Sequence, residues 1–174
     1  TGYWIDYWNE DKILAPQSEM NVQVPINRTP LFLRAGAIVP MHVRTDLTGH
    51  GDRSSAGKET VLIYPYKNSY YLYHRPRGTG IGYDDIELSM DEQSGTLTVG
   101  GRKSVSYRFR IKSFSKPDRI KGADSWNYDQ VSQCIIIDKE GARFSVQVEG
   151  LKAYSAMSVQ PLLFHDSRAT DCRE

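Results

Sequence analysis

From Thr60 to Val148 the chain is cut into short runs of apolar, β-branched and aromatic residues, each closed by turn formers. The runs are Thr60–Tyr66, Tyr70–His74, Asp85–Met90, Thr96–Val99, Val105–Ile111, Cys134–Asp138 and Ala142–Val148. Lys67-Asn68-Ser69, Gly95, Gly100-Gly101 and Glu140-Gly141 punctuate them. Helical periodicity is almost absent. Short strands at near-regular spacing each need a second sheet to cover one face, so the pattern predicts an all-β, antiparallel β-sandwich. Tyrosines at 64, 66, 70, 71 and 73 cover both faces of the first hairpin, as the aromatic preference of strands allows.

The segment ahead of this array is organised around Pro30–Met41, where the apolar runs Leu31–Leu33 and Ala37–Val39 flank Arg34-Ala35-Gly36. Prolines bound the stretch and its second half is β-branched, which predicts a buried strand bent at Gly36 rather than a helix. A missing Cβ at Gly36 permits positive φ or a close backbone approach. Arg34, inside the apolar run, is expected to be a buried structural clamp that needs carboxylate or carbonyl partners. Residues 1–12 hold an aromatic-rich strand ending in Asn9-Glu10-Asp11-Lys12, and Asn21–Ile26 alternates as an edge strand containing Pro25. Thr45–Lys58, rich in glycine, serine and charge, reads as an exposed linker and as the domain boundary. Ser167–Glu174 reads as disordered.

A formal net charge of +1 over 174 residues leaves no electrostatic footprint for nucleic acid, an anionic membrane or an acidic substrate. No apolar run reaches the length of a membrane-spanning helix. Cys134 and Cys172 are too few for a disulfide scaffold; a bond between them, a buried thiol and a free tail thiol all remain open. Histidines 42, 50, 74 and 165 lack metal-ligand spacing, and Gly78-Thr79-Gly80-Ile81-Gly82 is not a dinucleotide fingerprint. No metal or cofactor is therefore expected. Asn27-Arg28-Thr29 is a glycosylation sequon followed directly by Pro30.

Pro30-Leu31-Phe32-Leu33-Arg34-Ala35-Gly36-Ala37-Ile38-Val39-Pro40-Met41 resembles the P-L-F-x-R-A-G-x-I-x-P-M signature that begins the C-terminal region of glycoside hydrolase family 31, the α-glucosidase and α-xylosidase family. Gly2–Trp8 resembles the G-x-W-Y-D-Y-W strand that follows that family's catalytic barrel. Glu59–Pro65 and Tyr70–Tyr73 resemble the strands opening its distal β-sandwich. The resemblance runs closely over residues 1–73 and loosely to about Leu151. It implies a partial proximal β-domain over 1–57, a distal sandwich over 58–151 and a partly disordered tail over 152–174. The abrupt start at Thr1-Gly2-Tyr3 reads as a fragment or processed piece, and the resemblance implies the secretory pathway, a lysosome or the extracellular space.

Trp4-Ile5-Asp6-Tyr7-Trp8-Asn9-Glu10 superficially resembles the family's nucleophile motif W-x-D-M-N-E. Asp6 is instead read as a structural carboxylate at a strand end. Glycosidase chemistry needs a second carboxylate across the scissile bond, held on a rigid barrel, and the chain has neither. No catalytic residue is assigned. Where the family has L-Y-E-D-D-G, this chain has Leu72-Tyr73-His74-Arg75-Pro76-Arg77-Gly78, so a basic turn replaces an acidic one and Asp84-Asp85 follow later.

Three functions stay open at this level. The chain reads first as the non-catalytic C-terminal part of a family 31 glycosidase, supporting a barrel carried by another chain or by the N-terminal part of the same precursor. It could instead be a lectin-like module, with Tyr71, Tyr73, Trp126 and Tyr128 as aromatic sugar contacts. Or it could be a structural protein descended from a glycosidase.

Overall fold

The computed structural model describes residues 2–15, 24–41, 55–77 and 81–156. The strands are β1 (Trp4–Asp6), β2 (Asn9–Leu14), β3 (Phe32–Arg34), β4 (Ile38–Met41), β5 (Glu59–Ile63), β6 (Asn68–Pro76) and β7 (Tyr83–Asp91). They continue as β8 (Thr96–Lys112), β9 (Arg119–Lys121), β10 (Ser125–Asp129) and β11 (Cys134–Glu149), followed by a 3-10 turn at Tyr154–Ala156. Among the described residues no α-helix forms. The fold is the all-β sandwich that the strand spacing predicts, antiparallel throughout except for the parallel pair β5–β8.

Eight strands form one continuous hydrogen-bonded sheet that folds back on itself. The fold line crosses β8 and β11. Gly100 pairs with Arg143 and Val105 with Gly141, so Gly101–Ser104 stand opposite the single residue Ala142. Such a bulge bends the ladder and increases its twist. One layer, A, then consists of β6, β7, the first part of β8, the second part of β11, and β9. The other, B, consists of β10, the first part of β11, the second part of β8, β5 and β4.

Ile86, Leu88, Met90, Leu97 and Val99 of layer A meet Val61, Ile63, Phe109, Ile111, Ile135 and Ile137 of layer B. β7 shows why: every second residue from Asp84 to Met90 is buried, as the period of two requires of a strand with one dry face. Tyr107, Phe109 and Phe144 stack at the centre of this core.

β2, β1 and β3 form a separate three-stranded sheet in that order. Ile5, Ile13 and Leu33 share its inner face through the pairings Ile5–Ile13 and Ile5–Leu33. They pack with Leu62, Tyr64, Val39 and Met41 on the outer side of layer B, forming a second core closed by Tyr154. Gly36 links the two sheets. Its φ is 90°, and a Cβ there would lie 2.9 Å from Ser69 Oγ, so the bend between β3 and β4 needs glycine on both counts. β4, from the segment before the boundary expected near residue 57, is a strand of the eight-stranded sheet through its pairing with β5.

Several local expectations are corrected. Residues 1–12 give two strands, because Asp6 accepts a hydrogen bond from Trp8 N at 2.9 Å and turns the chain at Tyr7-Trp8. Arg34 is exposed: β3 alternates, so burying Leu33 sends its neighbour outward. β8 and β11 run unbroken through Gly100-Gly101 and Glu140-Gly141, since glycine in a strand marks a bend as readily as an end. Ser125–Asp129, absent from the expected strand runs, is β10, recruited by the exposed edge of β11.

Val24 and Pro25 lie outside any strand and Ile26 is fully exposed in a turn, while residues 21–23 of that expected strand fall outside the described residues. So do 45–54 of the expected linker, whose Ser55 is buried, and 157–174 of the expected tail, together with Cys172 and histidines 42, 50 and 165.

Candidate functional site

The joint between the small sheet and layer B is polar at its centre. Glu10 of β2 accepts a hydrogen bond from the Tyr64 hydroxyl at 2.5 Å and lies 3.6 Å from Lys112 Nζ, while its carbonyl accepts from the Tyr154 hydroxyl at 2.8 Å. Burial, reinforced by the Glu10 charge, pushes the Tyr64 hydroxyl far above its ordinary pKa, so it stays a donor at any physiological pH. Gly36 N donates to Tyr64 O and Tyr64 N to Ala37 O, so backbone and side chain of one tyrosine tie both sheets together. Such a joint fixes the small sheet against layer B.

The hairpin β6–β7 carries the basic stretch and the two aspartates as cross-strand partners. Register places His74 opposite Asp85 and Arg75 opposite Asp84. His74 Nδ1 lies 2.7 Å from Asp85 Oδ1, Arg77 holds Asp84 at 2.6 Å, and Lys103 adds a contact at 3.5 Å. Burial alone would raise the Asp84 pKa, but Arg77 and Lys103 outweigh it and hold the carboxyl below its ordinary value. Of the basic residues after Tyr73, Arg77 thus pairs with Asp84 and His74 meets Asp85. Behind them Glu59, itself buried, accepts from Arg75 Nε at 2.7 Å and from the Tyr73 hydroxyl at 3.2 Å. Burial, then the Glu59 charge, pushes Tyr73 up to about 12.

The four aromatic candidates are not brought together. Tyr71 and Tyr73 lie on β6, on the side of the fold next to β4, whereas Trp126 and Tyr128 lie on β10 at the opposite edge of layer B. Tyr73 packs on the main core, and so does Tyr128, whose hydroxyl donates to Ser113 O at 3.0 Å. Tyr71 and Trp126 keep exposed rings. Asn27 is exposed in a turn. Cys134 is buried, donates to Ser132 O, and has its thiol pKa raised by that burial.

Sequence reading passed over a groove on the outer face of layer A, about 770 Å³ in volume. It crosses four strands: Leu72, Glu87, Gly100 and Arg143 are successive cross-strand neighbours on β6, β7, β8 and β11. Tyr70, 64% exposed, stands on its rim. The available signal was the period-two partner of the buried set: once Ile86, Leu88 and Val99 face inward, Glu87 and Gly100 must face out.

No family model matches the chain. An α-xylosidase of Saccharolobus solfataricus is 28% identical over 109 residues, a match that takes in 58% of this chain and 14% of that protein. Two solved structures of a GH31 dextranase from Flavobacterium johnsoniae, one with isomaltotriose and one with glucose, superimpose at a TM-score of 0.67 and 14% identity. They cover 85% of this chain and 23% of theirs. The chain is a family 31-like all-β region. It spans a small part of these relatives' lengths, and the likeness to the dextranase is one of fold. Among the described residues the family 31-like region contains no helix long and apolar enough to cross a membrane.

Proposed function

We propose that this region is the non-catalytic C-terminal β-portion of a family 31 glycosidase, which supports and orients a catalytic barrel carried on other residues of the same precursor or on a second chain. In this reading residues 1–57 are the closing strands of a proximal β-domain that lends β4 to the sandwich over 58–151.

The small sheet carries the argument. Its inner face is spent on layer B, yet Trp4, Trp8 and Leu31 remain 45%, 46% and 43% exposed on and beside it. Trp8 is fixed by its indole N–H, which donates to Thr29 O at 2.7 Å, and by Arg28 above its ring. Exposed, immobilised aromatics on so small a sheet favour a partner that covers them.

The test is native size analysis with intact mass spectrometry on protein from its own source, followed by assay of α-glucoside hydrolysis. The expected result is a complex, or one longer chain, containing a family 31 barrel, with dissociation or loss of activity in Trp4→Ser. A lone 19.8 kDa species without a barrel partner overturns the reading.

A further inference from the structure

The groove on layer A lies on the face opposite the joint between layer B and the small sheet. Its centre is Gly100, which flanks the bend but where a side chain would meet nothing that forbids it. A Cβ added there would meet Glu87 Oε2 at 3.4 Å and Glu87 Cβ at 3.6 Å, both ordinary contacts. At the adjoining Gly101 a Cβ would press on Ala142 O at 3.1 Å, which explains that glycine by the corner alone. Glycine inside a strand weakens it, and where no bulge or bend demands it, it leaves room for something to approach the backbone closely.

The surroundings define what could approach. Asp85 and Glu87 contribute two negative charges to the groove, and Arg102 and Arg143 two positive ones, so the site has no preference for a polyanion. Of the apolar residues lining it, Val99 and Phe144 pack into the core and only Tyr70 and Leu72 are exposed, too few to seat an amphipathic helix. Glu87 has no hydrogen-bond or ion-pair partner among the described residues. Arg143 donates Nε to Gly101 O at 3.1 Å, which leaves the terminal guanidinium nitrogens as further donors. A neutral ring bearing several hydroxyls can satisfy a carboxylate and a guanidinium at once, since each hydroxyl both donates and accepts. Its C–H face fits the exposed Tyr70 ring.

We propose that this groove binds a neutral oligosaccharide, with one sugar ring seated over Gly100, its hydroxyls bonded to Glu87 and Arg143, and a neighbouring ring against Tyr70. Sugar recognition thus falls on the outer face of layer A, away from Tyr71, Tyr73, Trp126 and Tyr128. Isomaltotriose is the first probe, a choice that rests on the family 31 reading; the groove argument itself does not.

Titration of the isotope-labelled 174-residue chain, followed by amide NMR, tests it with isomaltotriose, maltotriose, cellotriose and a xyloglucan oligosaccharide. Saturable shifts at Tyr70, Glu87, Gly100 and Arg143 are expected with at least one of them. Affinity should fall by about ten-fold or more in Gly100→Val and in Tyr70→Ala, and stay unchanged in Trp126→Ala. Gly100→Val keeps the strand, so retained spectral dispersion with lost binding isolates the groove from the fold. Binding of a β-linked probe alone supports the groove and counts against the family reading. No saturable shift with any probe, shifts confined to β10 or the inner side of β6, or wild-type affinity in Gly100→Val overturns the proposal.

Discussion

The outer face of layer B carries Leu62 and Tyr64 and is covered by β1–β3, whereas the outer face of layer A carries Glu87, Gly100 and Arg143 and stands open. Both faces belong to the same folded sheet, and β8 and β11 contribute to each. What separates them is the residue type at the outward position of each pair. From Val61 of β5 to Tyr64 just beyond it both alternating sets are apolar, Val61 and Ile63 inward and Leu62 with Tyr64 outward, and all four are buried. On β7 only the inward set is apolar. A strand that is apolar on both faces needs two partners, while an alternating one needs a single partner and leaves its polar side for water or a ligand.

The comparison breaks first at its cores. Phe109, fully buried and stacked on Tyr107, joins the two layers, and Phe109→Ala is expected to cost about 3–5 kcal/mol in chemical unfolding. Ile5 is equally buried but belongs to the core under the small sheet, and Ile5→Ala is expected to cost about 2–4 kcal/mol. Both losses should fall on one cooperative transition, because Glu10, Tyr64 and Tyr154 bind the sheets to each other. A separate early transition in Ile5→Ala, with the main midpoint unmoved, would show that the small sheet folds apart from the sandwich.

Next in size is the polar part of layer B's outer face, which β1–β3 leave uncovered. Asp138 accepts from Arg108 Nε and NH2, both at 2.8 Å, and from Lys58 Nζ at 2.8 Å. Burial would raise its pKa, but the hydrogen bonds and charges of Arg108 and Lys58 outweigh it, and the folded value lies below the ordinary one. With an unfolded pKa of about 3.9, the unfolded chain binds the proton first as pH falls. The cluster's contribution is therefore complete above that value and drains away as pH drops through the folded pKa. Asp138→Asn should cost about 1–2 kcal/mol at pH 7, allowing for partial exposure, and should flatten the acid limb of stability against pH. An unchanged acid limb would assign acid sensitivity to other carboxylates.

These differences trace how far the sequence could be read. The sandwich was legible because burial imposes a period of two that hydrophobic runs display directly, as from Ile86 to Met90. The bend at Gly36 was legible because one residue type suits it. Arg34 is exposed within an apolar run because a strand of period two hides only alternate members, which the composition of the run does not reveal. β10 was not legible: Ser-Trp-Asn-Tyr-Asp has little strand character of its own and pairs because β11 offers Cys134–Asp138 as a template. The joint at Glu10 has no local signal and the groove at Gly100 only the outward phase of β7 and β8, since each assembles residues from strands far apart in sequence.

The smallest effect sharpens the comparison most. Gly100 and Gly101 are adjacent and chemically identical, so composition cannot tell them apart, yet they have different neighbours. A side chain at Gly101 must push the Ala142 carbonyl at the corner, and Gly101→Ala should lower the midpoint of thermal unfolding. A side chain at Gly100 enters the open groove, and the entropy that glycine gives up on folding is recovered. Gly100→Ala is accordingly expected to gain about 0.5 kcal/mol, measured by the same melt. Opposite signs at neighbouring glycines would mean that one serves the bend and the other the open face. Equal losses would mean that both serve the bend, and the contrast between a covered face and a ligand-accepting one would then rest on Glu87, Arg143 and Tyr70 alone.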